Sequence, residues 1–380
     1  MFWQRLKNET DRYEQKSYTN NMNKSTSLYL DLLRVVAAFG VLLVHANLSF
    51  FSNNLYFREE YGHKLVMVFF VLSGYLIAFT VDKKNKGATK YLVDRTSRLY
   101  SVVLPALLLT FILDTLGKHF NAAAYAGQVA PGNQLLRYLL NATFLSQIWK
   151  LSTKPSSNGP FWSISYEFWY YMLFAVYIYL QGAKRYIAAA LICFLIGIKI
   201  LLLLPVWVFG CLAYRASSKY TLSKGMAATI FTLTLTAVVV LTCFWDFSVF
   251  ADRLVFGKPP FYFSSRFVFD WVYGALVAIN LFSVSYLADG FRLPGFLEKA
   301  VKHLSSVTFS LYLYHAPILI FISAVAVYDK SSYLQTGGIL IGVILLVNVL
   351  AVVSEKQRGH FKTFFEKLFN SFTRLSANAK

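Results

Sequence analysis

The chain has 380 residues, 57% of them hydrophobic and only 14% charged, where an average soluble domain carries about 25% charged residues; a single soluble core cannot absorb that much apolar sequence without exposing large patches. The net charge of +19 would suit nucleic acid, but the basic residues sit in short loops between apolar runs, the pattern of a multi-span membrane protein. Cys193, Cys211 and Cys243 all lie inside apolar segments, so neither a disulfide nor a cysteine metal site is expected.

The polar stretch 1–27 reads as a cytoplasmic tail without a cleavable signal peptide, leaving insertion to the first apolar segment. Ten membrane segments follow, at 28–50, 64–80, 99–117, 161–180, 186–203, 205–214, 226–247, 267–288, 306–327 and 335–353, making 28–353 one all-α transmembrane domain. Pro205 is taken to split one long apolar run, and 205–214 is then too short to span as a regular helix. The stretch 135–149 (LLRYLLNATFLSQIW) is apolar but short, and reads as a re-entrant or interfacial helix. With the N-terminus in the cytoplasm, inside regions hold 25 Lys and Arg and outside regions 10. That asymmetry favours both termini inside and an even number of spans. In the tail 354–380, Phe361, Phe364, Phe365, Leu368, Phe369, Phe372 and Leu375 repeat at helical spacing, with Lys362, Lys367 and Arg374 interleaved. It reads as an amphipathic helix on the cytoplasmic leaflet.

Ionisable groups inside membrane helices are costly and therefore candidates for function. The first segment carries Arg34 and His45, eleven residues apart. Eleven steps of about 100° put both on one helix face, about 16 Å apart along the axis. Arg34 near the cytoplasmic end could merely snorkel, and His45 near the outer end could merely bond a neighbouring helix. In FFVLSGYLI (69–77), Ser73 and Gly74 form a small pair suited to close packing; no GxSxG turn marks Ser73 as a nucleophile. In VDRTSRLY, Arg95 and Arg98 lie one turn apart at the cytoplasmic mouth of the third segment. That spacing suits a phosphate or pyrophosphate, although ordinary positive-inside topology also explains it. NGPFWSISYEFWYYMLF contains Trp162 and puts Glu167 just inside the fourth segment, at a depth matched to His45, where it could orient the imidazole. His315, preceded by Tyr314 in SLYLYHAPI, and the isolated acid Asp270 read as supporting groups.

Taken together, Arg34-x10-His45, FFVLSGYLI, Arg95-x-x-Arg98, WSISYE ending at Glu167 and SLYLYHAP resemble the membrane acyltransferase family called acyltransferase 3, from Leu30 to about Lys356. Two departures stand out: Glu355 is followed by Lys356 and Gln357 where members often read Glu-x-Pro, and SYEFWYY keeps one acid where many members have two. The resemblance implies a bacterial cytoplasmic-membrane enzyme with no bound cofactor. It would take an acyl group, acetyl first among them, from a cytoplasmic coenzyme A thioester. The acceptor would be a hydroxyl of a glycan, a lipid-linked saccharide or another membrane-associated molecule, with membrane lipid and not nucleic acid around it. The residues fit that expectation. Arg95, Arg98 and Arg34 would meet the donor's phosphates, and His45 would take the acceptor's proton, with a covalent acyl-histidine as an alternative. Glu167 would orient His45, and Ser73, Tyr166 and Tyr314 are candidate oxyanion donors. A transporter or flippase of a glycan or lipid would also use buried His, Arg and Glu, but no paired broken helices are visible. A glycosyltransferase lacks a DxD-like motif in an outer loop.

Overall fold

The computed structural model describes residues 22–53, 55, 57–84, 87–243, 261–287 and 293–378. Most of the expected tail 1–27, the end of segment 226–247, the loop after it up to residue 260, and the last residue of segment 267–288 lie outside the described residues. Among the described residues all regular structure is helical: α1 (Lys24–Ala46), α2 (Glu59–Lys84), α3 (Gly87–Phe120), α4 (Gln134–Ala142), α5 (Trp162–Tyr179), α6 (Gly182–Ile196), α7 (Ile198–Lys219), α8 (Lys224–Cys243), α9 (Phe267–Val284), α10 (Gly295–Ser305), α11 (Thr308–Val325), α12 (Tyr333–Val353) and α13 (Arg358–Asn378). Among the described residues, eight helices are long and apolar enough to cross a membrane: α1, α2, α3, α7, α8, α9, α11 and the apolar run that begins with α12. The other two predicted segments are α5, rich in Tyr and Trp, and α6, which has only 15 residues.

Three boundaries differ from the sequence expectation. The break in the long apolar run falls at Gly197, and Pro205 lies inside α7. Gly197 adopts φ +75°, and a Cβ there would sit 2.8 Å from the Trp149 ring and 3.0 Å from its Cα. The turn thus needs glycine both for its backbone and for the close approach of another segment. A 22-residue α7 replaces the undersized 205–214. Second, α3 runs 34 residues, about 50 Å at 1.5 Å per residue, so Arg95 and Arg98 lie within a helix that outruns the bilayer. Third, only eight residues of 135–149, those up to Ala142, are helical.

The rest of that segment, up to α5, threads into the bundle. Asp114 of α3 accepts from the Ser157 amide at 3.0 Å and its hydroxyl at 2.7 Å. Asn158 donates to Thr110 at 3.0 Å and to the Leu313 carbonyl at 2.9 Å. The Trp169 indole donates to the Phe144 carbonyl at 2.9 Å, and Phe144 stacks on Phe168 at 4.3 Å. Irregular backbone at membrane depth is tolerable when protein groups satisfy it in this way. α5 therefore begins inside the bundle, with Phe161 and Trp162 buried.

α2 is central, packed against α1, α7 and α9. It crosses α7 so closely that a Cβ on Gly74 would lie 2.0 Å from the Trp207 carbonyl oxygen, and one on Gly210 2.0 Å from that of Val71. Small residues permit such contact between membrane helices, as expected for the Ser73-Gly74 pair. The tail helix α13 lies along α3: Phe365 meets Tyr100 at 5.4 Å, and Arg358 donates to the Asp94 carbonyl at 2.9 Å. Its apolar stripe divides, with Phe361 and Phe365 half-buried while Phe364 and Leu368 stay exposed. The side chains of Phe372, Arg374 and Leu375 lie outside the described residues.

Candidate functional site

Two cavities meet inside the bundle. The inner one, about 90 Å³, is lined by Arg34 of α1, Ser73 of α2, Arg95 and Arg98 of α3 and Glu167 and Tyr171 of α5. The outer one, about 250 Å³, is lined by His45 of α1, His63 of α2, and Pro160 and Trp162 at the start of α5. Val66 and Tyr312 line both, and so form the shared wall, or neck, between them. The helical spacing of Arg34 and His45 thus puts the first in the inner cavity and the second in the outer.

The inner cavity is a cluster of cations. Arg34 has one carboxylate, Asp31, at 3.3 Å, and that acid also accepts from Ser305 at 2.6 Å. Among the described residues neither Arg95 nor Arg98 has an ion pair, and Nε of Arg95 is buried without a hydrogen-bond partner. The Arg95 guanidinium lies over the rings of Tyr91 and Tyr171 at 5.8 and 6.0 Å. Glu355, from the turn before α13, accepts from the Ser310 amide at 3.2 Å and its hydroxyl at 2.8 Å, and its charge acts on Arg34 and Arg98. The charges of the three guanidinium groups are matched in number by Asp31, Glu167 and Glu355, but among the described residues Arg95 and Arg98 have no ion pair and keep donors for an anionic guest.

Glu167 belongs to this cluster, which corrects its expected pairing with His45. Its Oε1 accepts from the Ser73 hydroxyl at 2.9 Å and from Tyr171, and the Trp207 indole donates to Ser73 at 3.2 Å. The depth argument failed because α5 begins buried inside the bundle, so five residues further on Glu167 already reaches the arginines. Ser73, engaged with Glu167, is not placed beside His45 as an oxyanion donor. Tyr166 bonds Ser264 at 2.9 Å, and neither Tyr166 nor Tyr314 lines either cavity.

His45 is half-buried, and its Nδ1 lies 2.9 Å from the Val41 carbonyl. A carbonyl can only accept, so Nδ1 carries the proton and Nε2 the lone pair. Its ring meets His315 edge-on at 4.9 Å. His315 is fully buried, bonds the Leu311 carbonyl through Nδ1 at 2.8 Å, and has no partner on Nε2. Lys154, on the segment before α5, acts on His45 by its charge; burial pushes the Lys154 ammonium below its usual range, with Asp114 opposing and Arg137 adding to the fall.

Three functional groups were not foreseen. His63 lines the outer cavity and holds Asp270, which is therefore not isolated: Nε2 lies 3.0 and 3.1 Å from the two carboxylate oxygens. Its ring stacks on Trp162 at 5.7 Å, and Trp162 stacks on Phe263 at 4.2 Å. Tyr312 forms the neck, bonded to the Pro160 carbonyl at 2.9 Å and Ser163 at 2.8 Å. Tyr171 completes the Glu167 contact. The pair His63–Asp270 spans 207 residues, a separation that local spacing cannot reveal; the only local signal was a His and an acid at segment margins. No group of three or more His, Cys, Asp or Glu among the described residues could hold a metal ion.

A family described as an acyltransferase domain matches residues 27–354. No curated protein and no solved structure matches the chain.

Proposed function

Since the chain belongs to the acyltransferase 3 family, we propose that it is a membrane O-acyltransferase carrying an acyl group, acetyl first among the candidates, from cytoplasmic acyl-CoA to a hydroxyl of a glycan or membrane-associated acceptor. One observation carries this reading: a cavity lined by three arginines, two of them without an ion pair among the described residues, adjoins at Val66 and Tyr312 a cavity walled by an imidazole with a free ring nitrogen.

In this reading Arg95 and Arg98, with Arg34 deeper, bind the phosphates of coenzyme A. The pantetheine arm carries the thioester toward the neck. His45 Nε2 takes the acceptor's hydroxyl proton as the oxygen attacks the thioester carbonyl; the tetrahedral intermediate then collapses, the C–S bond breaks, and coenzyme A leaves as its thiolate. An acyl-histidine on Nε2 is the other route open to the same atom. The family resemblance suggests the cytoplasmic membrane of a bacterium as the setting, and the loop charges favour both termini inside.

Two measurements test it. Binding of acetyl-CoA to the purified protein should weaken about ten- to hundredfold in Arg95→Ala and Arg98→Ala, the range for losing a charge-assisted bond. Mass spectrometry of envelope glycans should find an acyl ester that disappears when the gene is removed. A wild-type protein that does not bind coenzyme A is a carrier or something else, and the reading falls.

A further inference from the structure

His63 and Asp270 take no part in the chemistry above, yet they are an expensive feature. Asp270 is fully buried in a membrane helix, where an acid is retained only with a partner. An apolar pair could join α2 to α9 at less cost, so helix packing alone does not account for them.

The hydrogen-bond pattern assigns the ring. A carboxylate accepts, so Nε2 of His63 donates to Asp270, and in the neutral ring Nδ1 carries the lone pair. Among the described residues nothing hydrogen-bonds to Nδ1. His45 is fixed in the opposite sense, Nδ1 bound to Val41 and Nε2 open. The outer cavity therefore has two imidazole lone pairs on its wall, one from α1 and one from α2. One is enough to deprotonate the attacking hydroxyl; a second suits another hydroxyl of the same molecule. Among the described residues no lysine or arginine lines this cavity, one acid, Glu59, does, and the remaining wall is largely apolar and aromatic, with Trp162 and Phe263. That lining suits an uncharged ring bearing several hydroxyls and disfavours a phosphate.

We propose that the outer cavity is the acceptor site, that its ligand is a saccharide or similar polyol with neighbouring hydroxyls, and that His63, held by Asp270, positions it by accepting a hydrogen bond from a hydroxyl beside the one acylated. This rests on the acyl-transfer reading, and the two fail in different ways.

The experiment uses purified full-length protein in detergent, acetyl-CoA as donor, and methyl α-glucoside or cyclohexanol as acceptor probe, following thiol release and the ester formed. The wild type should be stimulated by the glucoside and not by cyclohexanol. His63→Ala should raise the glucoside KM about tenfold, the cost of one hydrogen bond at the strong end, with the acetyl-CoA KM unchanged. His63→Gln should recover most of the affinity, because its amide can donate to Asp270 while its carbonyl accepts from the acceptor. Asp270→Asn can donate to Nε2 and so move the ring proton to Nδ1, where the lone pair is lost; it should resemble His63→Ala although the histidine remains. Three results would overturn the proposal: equal use of cyclohexanol and glucoside, no stimulation by the glucoside in protein that binds and hydrolyses acetyl-CoA, or a fall in kcat rather than a rise in acceptor KM for both His63→Ala and His63→Gln. Absence of acetyl-CoA binding by the wild type would instead remove the acyl-transfer reading beneath it.

Discussion

A histidine that gives its Nδ1 proton to a main-chain carbonyl keeps one ring nitrogen for chemistry, and His45 and His315 are both held in this way. Only His45 lines a cavity; His315 is fully buried and braces it edge-on. Glu167 makes a different contribution, because its carboxylate sits among the arginines on Ser73 and Tyr171. Replacing it with Gln keeps an acceptor oxygen for both hydroxyls but removes a negative charge from the cation cluster. Glu167→Gln is therefore expected to bind coenzyme A as tightly as the wild type or more tightly, measured by calorimetry. Weaker binding would show that the carboxylate is needed to organise the guanidinium groups. The sequence made Arg34, His45, Arg95, Arg98 and Glu167 visible as candidates because charged side chains in apolar runs are conspicuous. It misassigned Glu167 because depth was counted from a helix end whose position depends on an irregular segment.

At the scale of elements, the tail helix α13 is more than a surface anchor. Its first residue, Arg358, donates to the Asp94 carbonyl, and Lys362 lies 3.6 Å from the Asp94 carboxylate. The charges of Arg95 and Arg98 act on Arg358, so α13 brings another cation to the edge of the donor cluster. On the proposed reading, an entering coenzyme A would keep its 3′-phosphate outermost. Arg358→Ala is expected to cost coenzyme A several-fold in affinity and 3′-dephospho-coenzyme A almost nothing; an equal loss for both ligands would detach Arg358 from that phosphate. The amphipathic pattern made this helix legible, but not that one line of its apolar stripe packs on α3 while Phe364 and Leu368 remain exposed. The break at Gly197 was missed for a related reason: proline is tolerated within a membrane helix when neighbours satisfy the freed carbonyl, whereas the glycine turn is required by the approach of Trp149. Both are decided by tertiary contacts.

For the whole molecule, the arrangement is two cavities that share the Val66–Tyr312 neck, with guanidinium groups on one side and imidazoles on the other. Val66 lies on α2 at that neck, and Val66→Trp should fill it. Overpacking of this kind typically costs about 1–3 kcal/mol of stability, which a thermal-shift measurement would register. Coenzyme A should still bind such a variant, while acyl transfer is lost; transfer at the wild-type rate would place the thioester's path elsewhere. The all-helical, multi-span class was legible from composition and hydropathy. The adjacency of the cavities was not, because Pro160 and Trp162 reach the outer one on a segment held in the bundle by Asp114, Thr110 and Tyr312. The most direct test of the account is transfer of labelled acetyl from acetyl-CoA into membrane glycan by His45→Gln, with coenzyme A affinity and thermal stability measured on the same protein. Gln keeps hydrogen-bonding groups but cannot take a proton near neutral pH, so a folded variant that binds coenzyme A normally should lose about 10²- to 10⁴-fold in rate. Near-normal transfer by that folded variant would contradict the account.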